Sequence, residues 1–137
     1  MNRLIFINLP VKNLELSTKF YQGLGFTLNP MFSGATCSCI VISDVIHVML
    51  LAHEFFKTFT PLPIGDARKA TAVLNCLSCN SREEVDSFVR KAVSSGGNTY
   101  KDAMDHRGMM YGHGFQDPDG HIWELTHMDM SAMPPAA

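Results

Sequence analysis

The sequence has little net charge and no long apolar run. Its 11 Lys and Arg residues nearly balance its 13 Asp and Glu residues, for a net charge of −2. Such a chain has no basic surface for nucleic acid or an anionic membrane, so neither is expected as a partner. No stretch approaches the roughly 18 apolar residues of a membrane span. Asn8 and Pro10 interrupt the first apolar run, which argues against a secretory signal and leads us to expect a cytoplasmic protein.

The composition also excludes a disordered chain, because 46% of the residues are hydrophobic and only 18% are charged. A length of 137 residues fits one globular domain, or two half-size modules that share a core.

Cysteine is sparse, and its spacing does not favour a zinc site. Cys37 and Cys39 form a C-x-C pair, and Cys76 and Cys79 form a C-x-x-C pair. Both pairs lie in strand-like segments, where side chains alternate between faces, so Cys76 and Cys79 are expected to point in opposite directions. Zinc knuckles place such pairs on tight turns. The pattern predicts reduced thiols that are buried as small strand residues.

The first half of the chain reads as strand, helix, strand, strand. The strands are "RLIFINLPV", "TCSCIVIS" and "VIHVMLL". The helix is "NLELSTKFYQGLGF", which Asn13 caps and which ends near Gly23 and Gly25.

The second half repeats this order. A strand, "ATAVLNCLSC", precedes the helix "SREEVDSFVRKAVSSGG", in which Ser81 and Glu84 form a capping box. Three further strands are expected at "GNTYKDA", "MMYGHGFQD" and "GHIWELTHM", the last two joined by a D-P-D-G turn.

Two constant shifts relate the halves. A shift of 68 residues places Asn13 on Ser81 and Phe20 on Phe88, and a shift of 77 places His47 on Glu124. We therefore expect one domain of two tandem modules, at about residues 3–52 and 70–128. Residues 53–69 would form a linker or lid, and residues 129–137 a loose tail.

These features together resemble the vicinal oxygen chelate superfamily, which includes glyoxalase I, fosfomycin resistance enzymes, extradiol dioxygenases and bleomycin resistance proteins. The likeness rests on the tandem modules, on "NLPVKNLELSTKFYQGLGF" and on "GFQDPDGHIWEL", and it covers residues 3–128. Within the superfamily the chain is most similar to small predicted lactoylglutathione lyase-like proteins. The resemblance implies an α+β fold whose two βαβββ modules form curled mixed sheets around a cleft, and it implies a homodimer.

The resemblance also implies where a metal would bind. In the family, His or Glu side chains from the first and last strands of each module hold a divalent metal in the cleft. Those four positions fall here on Phe6, His47, Leu74 and Glu124. Phe6 and Leu74 cannot coordinate a metal, whereas catalytic sites usually keep three protein ligands. A metal would therefore need a third donor.

Two residues are available as that third donor. Asn8 lies two residues along the strand from Phe6, and Cys76 carries a thiol. In "HIWELTH" the alternation of side chains puts Glu124 on the face that looks into the cleft and Trp123 on the face that meets the helices.

The candidate site residues divide by role. His47 and Glu124 are the candidate catalytic residues and the possible metal ligands. They form either an ion pair that holds two half-barrels together, or an acid/base pair or polar anchors in a ligand pocket. The candidate ligand-binding residues are Phe6, Asn8, Met49, Leu74, Cys76 and His113.

Three functions remain open at this point. The incomplete ligand set favours a metal-free pocket that binds a small molecule, as bleomycin resistance proteins do. The alternative is a metal-dependent enzyme, similar to lactoylglutathione lyase or to dioxygenases, that uses His47, Glu124 and a third ligand. Metal-free acid/base catalysis by His47 and Glu124 is the third.

Overall fold

The computed structural model describes residues 2–129 and residue 131. Two compact units make up the chain, the first ending at Ala70 and the second beginning at Thr71. Each contains one four-stranded mixed sheet with a helix packed on one face, which confirms the expected α+β class. In this described part, no helix combines the length and the apolar character needed to cross a membrane. The tail expected at 129–137 lies outside the described residues, apart from Asp129 and Ser131.

The first unit contains five regular elements and then two short helices. The elements are β1 (Ile5–Val11), α1 (Leu14–Gly23), β2 (Thr27–Asn29), β3 (Cys37–Val41) and β4 (Ile46–Ala52). The sheet order is β1-β4-β3-β2, with β1 parallel to β4 and the other pairs antiparallel. The segment expected as a linker begins with the short helix α2 (His53–Phe56) and a 3-10 turn (Lys57–Phe59).

Local hydrogen bonds set the ends of α1, and an apolar stripe sets its packing. The Asn13 side chain accepts the backbone N–H of Leu16 at 3.1 Å, as the sequence predicts for an N-cap. The chain leaves the helix through Gly25, whose φ of +100° suits only glycine. Phe20 is fully buried, and α1 packs on β3 and β4.

The second unit repeats this arrangement. Its elements are β5 (Leu74–Ser78), α3 (Arg82–Ser94), β6 (Met104–His106), β7 (Met110–Gln116) and β8 (Ile122–Met128). The sheet order is β5-β8-β7-β6, and β5 runs parallel to β8. Strand order, strand directions and helix position match those of the first unit, so the two βαβββ modules expected from the sequence are present.

The helix α3 begins at the expected cap. Ser81 Oγ accepts the backbone N–H of Glu84 at 3.0 Å, while the Glu84 carboxylate accepts the N–H of Asn80 at 3.1 Å. The buried stripe of α3 packs on β7 and β8. The residues of this core are Val85, Val89, Ala92, Phe115, Trp123 and Leu125.

A polar cluster on the same side ties α3 to β6 and β7. The Tyr111 hydroxyl donates to the Asp86 carboxylate at 2.6 Å, and Arg82 lies over the Tyr111 ring at 4.3 Å. Arg82 also pairs with Asp105 at 2.7 Å. Its hydrogen bond, together with the N–H of Gly108, holds the pKa of Asp105 below the usual range. The phenol of Tyr111 therefore has both an acceptor and a cation beside it.

Two strands differ from the sequence prediction. The residue pattern alone missed β2, a three-residue edge strand. The strand expected at "GNTYKDA", residues 97–103, is wrong: only Asn98 pairs there, in one bridge to Gln116, and the edge strand is Met104–His106. Because the bridge between residues 98 and 116 is antiparallel, it sets Tyr100 opposite Gly114. The chain then leaves the sheet.

The first strands of the two modules are related by the expected shift of 68 residues, but the last strands are not related by the expected shift of 77. A shift of 68 relates Phe6 to Leu74. Because Phe6 pairs with His47 and Leu74 pairs with Ile122, the last strands are related by a shift of 75 and not 77. His47 is therefore equivalent to Ile122.

The buried residues of the last strands explain why the shift is 75 and not 77. The shift of 75 matches Val48 with Trp123 and Leu50 with Leu125, all four of which are buried against the helices. Glu124 then corresponds to Met49. Since a slip of two residues keeps every side chain on its face, the sequence pattern could not reveal the difference.

Candidate functional site

Each sheet has a face that turns away from its helix, which we call the open face. On the first sheet, β1 contributes Phe6 and Asn8 to this face, and β4 contributes His47 and Met49. The strand register sets Phe6 beside His47 and Asn8 beside Met49. Alternation directs Val48 to the helix, where it is fully buried. Four of the expected site residues therefore share one surface.

His47 is an unsatisfied polar group on this surface. Both of its ring nitrogens are buried, and neither has a hydrogen-bond partner in the described part of the chain. The edge of the Phe6 ring lies against it, with ring centroids 4.9 Å apart at 76°, and Val41 is its other strand neighbour. Buried polar groups without partners are rare and cost free energy. The site thus offers a donor and an acceptor in apolar surroundings.

The open face of the second sheet carries a carboxylate and a thiol. Cys76 lies directly beside Glu124 in the register, whereas Leu74 lies one pair away, beside Ile122. The Cys76 sulfur is 3.2 Å from the hydroxyl of Thr126. Three of the expected site residues, Leu74, Cys76 and Glu124, thus share the second open face.

Sequence reasoning missed Tyr100, which lies on this second open face. Its hydroxyl is buried and has no hydrogen-bond partner among the described residues. It lies over Gly114, where a Cβ atom would collide with it. Burial, and then the charges of Glu124 and Cys76, raise the pKa of Tyr100. The signal in the sequence was the pair Gly112 and Gly114, which leaves the middle of this face of β7 without side chains.

His113 does not join the open face. It pairs with Leu125 and lies between Tyr111 and Phe115, whose side chains turn towards α3. Its Nε2 atom lies 3.0 Å from the carbonyl oxygen of Lys101. The position beside Glu124 belongs to Gly114, and His113 lies on the face of the sheet that turns towards α3.

The D-P-D-G turn sets the start of β8 and hence the position of Glu124. Asp117 is 2% exposed, and its Oδ1 atom accepts the backbone N–H groups of Asp119 at 3.0 Å and His121 at 2.9 Å. Gly120 completes the turn with a φ of +94°. The Asp117 carboxylate therefore stabilises this turn.

The donor set does not fit a metal. Within residues 2–129 and 131, no group of three or more His, Cys, Asp or Glu side chains is placed to hold an ion. All four cysteines are free thiols, but burial was predicted correctly only for Cys39 and Cys79, since Cys37 is half-buried and Cys76 is exposed on its strand. Burial, followed by the charge of Glu84, raises the pKa of Cys79 to about 12, so this sulfur stays protonated. We therefore derive no chemistry through a metal.

A surface depression of about 470 Å³ lies elsewhere, along α3 between Ser81 and Lys91. All of its lining residues belong to that helix and its N-cap, and they include both carboxylates and cations. It lacks the apolar walls of a ligand pocket and is not the candidate site.

Comparison with known proteins supports the fold. Residues 3–43 match the family model described as bleomycin resistance protein-like N-terminal. No curated protein sequence matches the chain. A hypothetical protein from S. aureus is 29% identical, with a TM-score of 0.77 over 93% of this chain and 94% of that chain.

Two further solved structures carry more specific names. A glyoxalase/bleomycin resistance protein/dioxygenase family enzyme from Burkholderia phytofirmans is 16% identical, with a TM-score of 0.76 over 93% of this chain and 100% of that chain. A fosfomycin resistance protein from Listeria monocytogenes is 21% identical, with a TM-score of 0.68 over 95% and 94%. Residues 3–43 are thus similar in sequence to the N-terminal part of bleomycin resistance protein-like proteins, and the chain shares its fold with solved structures of the glyoxalase/bleomycin resistance protein/dioxygenase family.

Proposed function

We propose that the chain binds a small, largely apolar molecule at the open faces of its two sheets, without using a metal. The observation that carries this proposal is the pair of buried, unpartnered nitrogens of His47. A polar group that is hidden from water and unsatisfied by the protein fits a role in holding something else.

The surroundings of His47 suit such a ligand. Phe6 contacts the imidazole, and Met49 and Val41 lie on the same face. Ligand pockets combine apolar walls with a few polar groups that set orientation. In this proposal Phe6 and Met49 supply apolar surface beside the polar groups of His47 and Asn8 on the first open face. On the second open face Leu74 supplies apolar surface beside the polar groups of Cys76 and Glu124.

Replacement of His47 by leucine should stabilise the protein without ligand. His47→Leu removes two buried atoms that lack partners, so we expect a gain of about 1 kcal/mol in the free energy of unfolding. Urea denaturation measures it. The matched control is His127→Leu, because His127 Nδ1 lies 3.1 Å from the carbonyl oxygen of Cys79, and loss of that bond should destabilise. A clear loss of stability in His47→Leu would favour the ion-pair role instead.

The alternative is a metal-dependent lyase or dioxygenase that uses His47, Glu124 and a third ligand. Cys76 favours it most, since its thiol lies beside Glu124. We expect, however, that Zn²⁺, Ni²⁺, Mn²⁺ or Fe²⁺ leaves the thermal midpoint unchanged, because only a ligand that binds the native state raises it. A rise that disappears in both His47→Leu and Cys76→Ser would establish the alternative. Metal-free acid/base catalysis by His47 and Glu124 remains compatible with the proposed pocket.

Two further parts of the proposal concern the context of the chain. We assign a homodimer, because members of this family often complete their clefts across a two-fold interface. We assign a cytoplasmic location, because the four unpaired thiols suit a reducing compartment.

A further inference from the structure

The Tyr100 hydroxyl occupies the place that a side chain at position 114 would take. Gly114 is the register partner of Glu124, and a Cβ atom built on Gly114 collides with the Tyr100 hydroxyl and lies 2.9 Å from Tyr100 Cζ. Directly opposed Cβ atoms of antiparallel strands are about 5 Å apart. The hydroxyl therefore lies at the position that is paired with Glu124, on the same open face of the sheet.

Three features of the fold hold the ring in that place. The Asn98 and Gln116 backbones exchange hydrogen bonds of 3.1 and 2.7 Å, which aligns the chain so that Tyr100 reaches Gly114. Gly114 has no side chain to exclude the ring, and the second open-face glycine, Gly112, leaves space beside it. Within the described part of the chain, this arrangement gives the Tyr100 hydroxyl no hydrogen-bond partner.

We propose that Tyr100 is a ligand-binding residue that donates a hydrogen bond to a hydroxyl group of the ligand, which in turn donates to Glu124. This inference rests on the proposed function and names the ligand class of the same site. Tyr100 selects ligands that carry an alcohol or phenol group on an apolar body.

The choice of a hydroxyl follows from the chemistry of the two side chains. An ionised carboxylate only accepts hydrogen bonds, so its partner must donate. Burial favours the protonated form of Tyr100, which donates and needs an acceptor. A ligand hydroxyl does both at once. A ligand carboxylate would face the charge of Glu124, and a ligand ammonium could not accept from Tyr100.

The first test measures the protein without ligand. Tyr100→Phe keeps the ring and removes only the unsatisfied hydroxyl, so its thermal midpoint should rise. The control is Tyr111→Phe, which removes a hydroxyl that donates to Asp86 at 2.6 Å and should lower the midpoint. A midpoint that falls equally in both variants would assign Tyr100 a structural role and overturn the proposal.

The second test uses three probes with one apolar body: 2-phenylethanol, 2-phenylethylamine and phenylacetate. Titrations at millimolar concentration, followed by NMR of backbone amides, give their affinities. 2-Phenylethanol should bind the wild type best, and Tyr100→Phe should weaken it about 2- to 10-fold, the range of one hydrogen bond. Tyr111→Phe should leave its affinity unchanged.

The outcomes separate the two proposals. Equal affinity of 2-phenylethanol for wild type and Tyr100→Phe, with shifts around His47, would overturn the role of Tyr100 and leave the pocket standing. Preference for phenylacetate would overturn the ligand class. If no probe changed the amide chemical shifts at either open face, the result would contradict the proposed function and, with it, the ligand-binding role of Tyr100.

Discussion

Alanine at Gly114 should destabilise the protein by about 2 kcal/mol, in the range of other overpacked interiors. Its Cβ would collide with the Tyr100 hydroxyl and lie 2.9 Å from the Trp123 carbonyl oxygen. The tyrosine can turn away, but the carbonyl belongs to the central strand β8 and cannot move without disturbing Glu124. Denaturant unfolding measures the loss, and 2-phenylethanol binding should weaken with it.

Gly112 supplies the control on the same strand and the same face. An added Cβ there would lie 3.5 Å from the Leu125 carbonyl oxygen, an ordinary contact. Alanine also restricts the unfolded chain, so Gly112→Ala should be neutral or stabilise by up to about 1 kcal/mol. Equal destabilisation by both alanines would mean that the Tyr100 ring does not rest on Gly114.

Loss of the Asp117 carboxylate should have the largest effect, roughly 3 kcal/mol. This side chain is almost fully buried and accepts two backbone N–H groups in the turn before β8. In Asp117→Ala the N–H groups of Asp119 and His121 lose this acceptor. Unfolding in urea reports the change, and the amide signals of β8 should shift.

Asp117→Asn is the conservative substitution in the same turn. Its side-chain oxygen can still accept from both N–H groups, although without a full charge, so the loss should be at most half of that in the alanine variant. An asparagine variant as unstable as the alanine variant would assign the effect to the charge and not to the hydrogen bonds.

The parts of the fold that depend on short-range chemistry could be predicted from the sequence. Asn13 and Ser81 cap their helices because a side-chain oxygen needs only an N–H three residues away. The D-P-D-G turn forms for a similar reason. The tandem modules, and the placement of His47 and Glu124 on open faces, follow from strand alternation.

Other features depend on long-range pairing, which a single sequence does not specify. A register change of two residues keeps every side chain on the same face of the sheet. The predicted equivalence of His47 and Glu124 was therefore wrong, although both side chains lie on the predicted faces. His113 faces α3 because Gly114, and not His113, pairs with Glu124. Tyr100 was missed because the relevant pattern was two glycines on another strand.

The central claim is that the unpartnered polar atoms of the open faces receive a ligand. The direct measurement is a crystal structure of the wild-type protein soaked in 2-phenylethanol. We expect its hydroxyl within hydrogen-bond distance of the Tyr100 and Glu124 side chains, and its ring on the apolar surface of the same open face, near Leu74. A structure in which protein groups alone satisfy His47 and Tyr100, with no probe at either open face, would contradict the account.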